Sequence, residues 1–350
     1  PNQGVMVIQN YERINLRKYL GLAVGAALLL SLVACSSNNQ DESAAELTIY
    51  SGRNEEFIGP YFADFETQTG IKLNIRYGDS AELAAQLLEE GENSKADLFI
   101  AQDAGSLGAV ADAGLLATLD STVLDLVDPQ YQSDDESWVG ITGRARVFAY
   151  DPTKVTELPS SIDDLLDPKW SGKIGIAPTN ASFQAFITAL RQLRGEAAAE
   201  QWLTALVANQ PLTYEKNSMI VEAIDAGQIE IGLTNHYYIY EVAQSLGRAI
   251  NVKDGFFAPG DVGNLVNVSG AGILNTAKNS AGAAELIKFL LSNESQNKFV
   301  TDTNEYSVLP DLPAPKDLPS LAEIGSPRVD LTALKDVAAT QQLLVRVGLL

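Results

Sequence analysis

The chain has 350 residues, a length that suits two lobes of ordinary size better than one hydrophobic core. It carries 24 Lys and Arg residues against 45 Asp and Glu residues, a net charge of −21, and so acidic a surface repels nucleic acid. One cysteine and one histidine exclude an internal disulfide framework and a multi-histidine zinc site.

The N-terminal residues 1–34 have the pattern of an export signal peptide. Basic residues, among them Arg17 and Lys18, precede the apolar run 19–34, which is short for a membrane-spanning helix. The run ends in the sequence LVAC, which resembles the bacterial lipobox. We therefore expect Cys35 to be lipidated and to become the mature N-terminus. A plain signal peptide or an anchor helix that happens to contain cysteine is the alternative.

Residues 35–46 are small and polar and show no periodicity, which is typical of a flexible tether. No later run approaches the ~20 apolar residues that span a bilayer. These features predict an extracytoplasmic protein that is anchored to the cell envelope by lipid on Cys35.

From residue 47 onward, strands and helices alternate, which predicts an α/β fold with mostly parallel sheets. Alternating or continuous apolar residues indicate strands, and apolar residues at helical spacing indicate helices. The first predicted segments are strand 47–50, helix 54–69, strand 71–77, helix 80–90, strand 96–101 and helix 105–113.

Two long strand-like runs, 138–151 and 264–274, interrupt this alternation. The segments predicted between and after them are strand 173–177, helices 182–193, 196–208 and 218–226, strand 230–233, and helices 237–246, 281–291, 295–301 and 331–347.

The simplest architecture lets each long run cross once between two lobes and act as a hinge. Lobe 1 is then 47–143 with 268–350, and lobe 2 is 144–267. Gly143, Gly270 and Gly272 are expected to ease the bending.

Ligands of doubly wound sheets bind beyond the carboxyl ends of the strands. This rule selects four loops before their chemistry is considered, namely 51–55, 102–105, 178–182 and 234–238.

The last of these loops ends on two adjacent tyrosines, Tyr237 and Tyr238, at a predicted helix start. Phenolate is a hard anionic ligand with an ordinary pKa of ~10, so only a strongly Lewis-acidic cation displaces its proton near neutral pH. Fe³⁺ is such a cation, whereas zinc and cuprous ions favour His or Cys. The pair could instead pack in a core or stack on an organic ligand.

Residues 178–182, with the sequence PTNAS, precede a predicted helix. Free backbone N–H groups and hydroxyls at such a position can cradle an anion, or Asn180 and Ser182 are ordinary helix caps. Asn217, before another predicted helix, has the same two interpretations.

Three arginines, Arg53, Arg144 and Arg146, are candidates for holding an anion through two hydrogen bonds. Arg144 and Arg146 are two residues apart in a strand and therefore share a face. Surface salt bridging in an acid-rich protein is the alternative.

Taken together, these segments resemble the bacterial periplasmic ferric-ion-binding proteins, the transferrin-like solute-binding components of ABC transporters. The resemblance covers essentially all of 47–350. It rests on the number and order of short motifs: YSGR at 50–53, GRARV at 143–147, DPKWSGKIG at 167–175, APTN at 177–180, KNS at 216–218 and NHYY at 235–238.

The resemblance implies a type II, two-lobed periplasmic-binding-protein-like fold, in which each lobe is a mostly parallel sheet flanked by helices and two hinge strands join them. It implies that Tyr237 and Tyr238 are ligands of Fe³⁺, with carbonate or phosphate as a synergistic anion. The residues expected around the anion are Thr179, Asn180, Ala181, Ser182, Asn217 and Asn235, with Arg53 and Arg144 as further candidates.

The chain departs from the best-known pattern of the family in the first lobe. Asn54 stands where some members have histidine, and Gln102 stands where they have glutamate. The neighbouring Glu55 or Asp103 could substitute as a carboxylate ligand, or carbonate or water could fill the same positions.

These observations predict a monomeric binding protein, not an enzyme, that closes on ferric iron and delivers it to an ABC transporter permease. One alternative keeps the fold but binds thiamine, a polyamine or a phosphonate. A second is a hydrolase that uses Ser182 and His236, and a third is a structural envelope lipoprotein.

Overall fold

The computed structural model describes residues 46–350. The predicted signal peptide, the lipidation site Cys35 and the tether before Glu46 lie outside the described residues. The described part is a mixed α/β structure, which confirms the predicted fold class.

Within residues 46–350, ten strands are joined in a continuous ladder. Their bounds are β1 Glu46–Ser51, β2 Lys72–Tyr77, β3 Leu98–Ala101, β4 Trp138–Tyr150, β5 Ile174–Ile176, β6 Leu212–Thr213, β7 Ile231–Asn235, β8 Lys253–Gly255, β9 Val266–Ile273 and β10 Tyr306–Ser307.

The α-helices include long ones that pack on the sheets and two of a single turn. Their bounds are α1 Glu55–Thr69, α2 Ser80–Glu90, α3 Ala104–Asp112, α4 Ser121–Leu124, α5 Ala181–Arg194, α6 Glu196–Ala208, α7 Asn217–Asp225, α8 Tyr238–Leu246, α9 Ser280–Leu290, α10 Asn293–Thr303, α11 Leu321–Ile324 and α12 Val337–Arg346.

The strands form two sheets that share β4. In the first sheet the order is β2-β1-β3-β9-β4, with β1 parallel to β2 and β3, and β10 beside β4. In the second sheet β4 pairs with β7 and β8, and β5 runs parallel to β6 and β7. The Trp138–Ala145 half of β4 pairs with β9 and the Arg146–Tyr150 half pairs with β7, so the strand passes from one lobe to the other at this point.

Two of the predicted hinge glycines serve close packing in the first sheet. A Cβ atom on Gly270 would lie 2.6 Å from the carbonyl oxygen of Val139, and one on Gly272 would lie 2.7 Å from Leu116. No side chain fits at either position, so both residues must be glycine.

Most predicted elements are confirmed, and the helix predicted over 331–347 is wrong at one point. Thr332–Lys335 form a 3-10 turn, and α12 begins only at Val337, because Asp336 leaves the helical region with φ −72° and ψ 52°. The turn packs mainly on α3 and also contacts α5, the helix of the second lobe on which α12 packs. The lobe boundaries 47–143 with 268–350 and 144–267 stay a prediction.

Candidate functional site

A cavity of about 550 Å³ lies between the two lobes, beyond the carboxyl ends of β3, β5 and β7. The predicted ligand-binding residues on its wall are Gln102, Asp103, Arg144, Asn180, Ala181, Ser182, Asn235, Tyr237 and Tyr238. The other candidates, Arg53, Asn54, Glu55, Thr179 and Asn217, are not among the residues that line it.

The two tyrosines stand side by side where β7 ends and α8 begins. Their ring centroids are 4.5 Å apart, and Asn235 Nδ2 donates to the Tyr237 hydroxyl at 3.4 Å. Burial raises the pKa of Tyr238, and the neighbouring Tyr237 raises it further. The Tyr238 phenol therefore keeps its proton near pH 7 unless a cation displaces it.

Arg146 is the most unusual charge in the cavity wall, because the residue is only 2% exposed and forms no ion pair with a carboxylate within residues 46–350. Its Nη1 donates to Ser182 Oγ at 3.0 Å and to Asn235 Oδ1 at 3.3 Å. Its Nε and Nη2 have no hydrogen-bond partner among the described residues. Burial lowers the pKa of Arg146 to about 10, so the guanidinium keeps its charge at neutral pH and lacks a counter-ion.

Arg144 lies on the same face of β4 and also lines the cavity. Burial alone would lower the pKa of Arg144, but Tyr237, Glu305 and Asp103 around it raise that pKa overall. Arg144 thus has the carboxylates of Glu305 and Asp103 near it, whereas the acidic groups near Arg146 are the two tyrosines.

The N-terminus of α5 carries a network of polar side chains. Asn180 Oδ1 accepts from the backbone N–H and the hydroxyl of Ser182 at 2.9 and 2.6 Å, so Asn180 does cap the helix. Asn217 is fully buried behind them and donates to Ser182 Oγ at 3.0 Å. Asn180 and Ser182 therefore form the helix cap and also lie on the cavity wall.

In the first lobe, two of the predicted residues face the cavity. Gln102 Nε2 donates to the carbonyl oxygen of Gly52 at 2.7 Å, and Asp103 accepts from the backbone and hydroxyl of Ser106 at 2.8 and 2.9 Å. Asp103 is thus the cap of α3 as well as a carboxylate on the wall.

Arg53, Asn54 and Glu55 are placed differently. Both terminal nitrogens of Arg53 donate to the buried Glu305 at 2.9 and 3.0 Å, so the guanidinium already has a counter-ion. Asn54 and Glu55 begin α1 and are exposed.

Several wall residues escaped the sequence analysis. Asp79 and Ser80 follow β2, and the rule that selected the other loops would have found them. Leu334, Lys335 and Val337 come from the C-terminal segment, which no local pattern connects to the cavity.

His236 lies next to the tyrosines but is completely buried. Its Nε2–H donates to the carbonyl oxygen of Asn304 at 2.6 Å, and its Nδ1 accepts from the N–H of Ala145 at 3.2 Å. Burial lowers its pKa to about 4, so the ring is neutral at pH 7. His236 is therefore a structural link between the second lobe and α10, and it does not contact Ser182.

Within residues 46–350, no group of three His, Cys, Asp or Glu side chains is arranged to hold a metal ion. In the same range no helix has the length and apolar character needed to cross a bilayer.

Residues 93–328 match the family described as bacterial extracellular solute-binding protein. The chain is 34% identical over 329 residues to the Fe(3+)-binding periplasmic protein of Serratia marcescens, and the match covers 93% of this chain and 97% of that protein.

Solved structures give the same result for the fold. Iron-bound HitA from Pseudomonas aeruginosa is 35% identical with a TM-score of 0.77, and the similarity covers 87% of this chain and 99% of HitA. The Trichodesmium protein IdiA (FutA), in complex with iron and citrate ligands, is 29% identical with a TM-score of 0.77 over 87% of this chain and 100% of that chain.

Proposed function

The chain belongs to the bacterial extracellular solute-binding proteins, as a relative of the ferric-ion-binding ones, and on this basis we propose that its cleft binds Fe³⁺ through Tyr237 and Tyr238. One observation carries the proposal: two phenols lie with their rings 4.5 Å apart on the cavity wall, beside a buried arginine that lacks a counter-ion.

The chemistry follows from charge. Fe³⁺ with two phenolates keeps one positive charge, and the guanidinium of Arg146 adds another in a site of low dielectric. A synergistic anion with more than one negative charge, such as carbonate or phosphate, offsets both. Ser182 and Asn235 already hydrogen-bond to Arg146, and Arg144 lies on the same strand face, so this corner of the cavity is suited to the anion.

Two phenolates fill only part of the coordination shell of iron. Of the first-lobe candidates, Asp103 supplies a carboxylate and Gln102 an amide on the cavity wall, whereas Asn54 and Glu55 lie elsewhere. We therefore assign the remaining positions to Asp103, to the anion and to water. The citrate in the Trichodesmium structure supports an oxygen-rich companion for the iron.

The proposal includes the cellular context. The chain is exported, lipidated on Cys35 and held at the envelope, where a monomer closes on iron and delivers it to an ABC transporter permease. The expected lipobox at Cys35 supports the anchor, and the family supports the transport role.

Two other functions compete with this one. A Ser182–His236 hydrolase is disfavoured because both ring nitrogens of His236 are engaged with Ala145 and Asn304. An organic solute such as thiamine, a polyamine or a phosphonate is favoured only by the adjacent tyrosine rings, which are tilted by 34° to each other. A thermal-shift comparison of these solutes with ferric iron separates the two.

The test is the iron content of the purified chain after incubation with ferric citrate and desalting. Wild type is expected to retain about one iron per chain, whereas Tyr237→Phe and Tyr238→Phe lose most of it because each variant lacks one phenolate. Tyr240→Phe is the matched control, since its hydroxyl donates to Lys316 O and is not on the cavity wall. Equal iron retention in all three variants would contradict the proposal.

A further inference from the structure

The last turn and helix of the chain contact both lobes. We define the C-terminal strap as residues 332–346, which comprise the 3-10 turn Thr332–Lys335 and helix α12. Asp336 alone separates the two parts. The turn and α12 are therefore joined by a single residue, and so are the parts of the protein on which they pack.

The first end of the strap is fixed to α3, in the first lobe. A Cβ atom on Gly108 would lie 2.5 Å from the carbonyl oxygen of Thr332, so the backbones approach as closely as glycine permits. Leu334 is buried in the core at 2% exposure, and Lys335 forms an ion pair with Asp112.

The second end of the strap is fixed to α5, in the second lobe. The hydroxyls of Thr188 and Thr340 are 2.6 Å apart and both side chains are buried. Arg191 donates to Thr340 at 3.0 Å and pairs with Asp336 at 3.1 Å. Leu343 and Leu344 add fully buried apolar area, so this contact does not depend on surface charges alone.

The two helices held in this way carry the two sides of the cavity. Helix α3 begins directly after Asp103, and α5 begins directly after Asn180. Leu334, Lys335 and Val337 of the strap are themselves on the cavity wall. Any movement that opens or closes the cleft must therefore change the strap or be restrained by it.

We propose that the C-terminal strap is a third connection between the lobes, in addition to β4 and the chain entering β9, and that it sets how far apart the lobes stand. A connection of one residue cannot lengthen by more than a few ångströms, since an extended residue spans about 3.3–3.6 Å. The strap thus limits how far the lobes can move apart in the open state, and it shifts the open–closed equilibrium toward shorter distances between the lobes. This inference concerns the fold and does not depend on which solute the cleft binds.

The test lengthens the connection without removing either contact. An insertion of Gly-Ser-Gly between Lys335, which pairs with Asp112, and Asp336, which pairs with Arg191, adds up to about 10 Å of chain. The same three residues placed after Leu350 are the matched control, because they follow the strap and keep the hydrogen bond from Leu349 N to Leu344 O. Lobe separation is measured by double electron–electron resonance between spin labels at Glu89→Cys in α2 and Glu222→Cys in α7, both exposed. Cys35→Ser in the same full chain removes the only native thiol.

Without any solute, the strap insertion is expected to broaden the distance distribution and shift it to longer values, while the control matches the parent chain. Distributions that coincide in all three proteins would overturn the proposal. Because no iron is present, this result is independent of the iron-binding experiment.

A second pair of variants keeps the proposal testable if the insertion prevents folding. Gly108→Ala places a methyl group against Thr332 and should loosen the strap, giving the same shift in distance. Gly59→Ala in α1 is its control, since the nearest atom to its added Cβ is 3.4 Å away. Unchanged distances in Gly108→Ala, with a normal unfolding transition, would also count against a strap that restrains the lobes.

Discussion

At the residue scale, two buried arginines differ in whether a carboxylate of the protein compensates their charge. Arg53 is paired through two hydrogen bonds with Glu305, so its charge is already compensated. Arg146 is as deeply buried, yet the described residues near it are Ser182, Asn235, the rings of Phe183 and Phe186, and the tyrosine pair, none of which is a carboxylate. A buried charge without a counter-ion costs stability, and a bound anion removes that cost.

Replacing Arg146 by glutamine is therefore expected to affect binding and folding in opposite directions. Ferric affinity in the presence of phosphate or carbonate should fall by about 10- to 100-fold, which corresponds to the loss of hydrogen bonds to a charged group. The free energy of unfolding of the iron-free protein should stay equal or rise, because an uncompensated charge is gone. Chelator competition measures the first quantity and urea denaturation the second.

The matched control is Arg248→Gln, which removes an exposed guanidinium that pairs with Asp225. It should change neither ferric affinity nor stability by much. If Arg146→Gln binds iron as tightly as this control, the anion does not lie at Arg146.

Asp254 in β8 predicts a pH effect on stability. Both of its carboxyl oxygens are buried and have no hydrogen-bond partner among the described residues, and burial raises the pKa of this carboxyl well above its ordinary value. The folded chain thus keeps a proton that the unfolded chain releases above about pH 4. Its contribution to stability is therefore highest below that pH and falls as the pH rises toward the folded pKa.

Asp254→Asn should remove this decrease in stability with rising pH. The gain in free energy of unfolding should be near zero around pH 4 and about 1–3 kcal/mol near pH 7, as measured by urea denaturation at both pH values. Asp311→Asn, at an exposed position, is the control and should show no such trend. A gain that is equal at both pH values would mean that Asp254 is ionised in the folded state.

The rule that ligands meet the ends of parallel strands placed Gln102, Asp103, Ser182 and the tyrosine pair around one cavity, and each of these follows a strand closely in sequence. The same rule selected the loop 51–55, yet Arg53 does not line the cavity, because it pairs with Glu305, which is 252 residues away and is joined to it by no local pattern. The uncompensated state of Arg146 depends on the same kind of long-range packing, so only the structure reveals it.

At the element scale, periodicity identified the long helices and the strands β1, β2, β4 and β7 with small shifts in their ends. Strands β6 and β10 have two residues each, too few for an alternating pattern to be recognised, and β8, with the sequence KDG, has no large apolar residue. The break at Asp336 also has no signal in sequence, since contacts of Thr332–Lys335 with α3 overrule a helical pattern that continues through it.

Gly270 in β9 illustrates how tightly the first sheet is packed. In Gly270→Ala the added methyl group would lie 2.6 Å from Val139 O and 2.8 Å from a Leu107 methyl carbon. We expect a loss of about 1–3 kcal/mol in the free energy of unfolding, as for other overpacked sites, by urea denaturation. A variant as stable as wild type would show that β4 and β9 can move apart easily.

At the scale of the whole molecule, two sheets share one long strand, and the cavity lies where the chain passes between them. Neither lobe alone forms the site, since Asp103 and Gln102 follow β3 of the first sheet and the tyrosines follow β7 of the second. A cation that binds between the lobes therefore favours the closed state. The size of this shift is set by how much more tightly the closed state binds the cation than the open state does.

The visible absorption spectrum of the chain during titration with ferric citrate is the most direct measurement of iron binding by the tyrosine pair. Phenolate bound to Fe³⁺ is expected to give a charge-transfer band that rises to one equivalent of iron and is absent in the Tyr237→Phe, Tyr238→Phe double variant. A wild-type protein that stays colourless, with unchanged thermal stability, would contradict iron binding by these two residues.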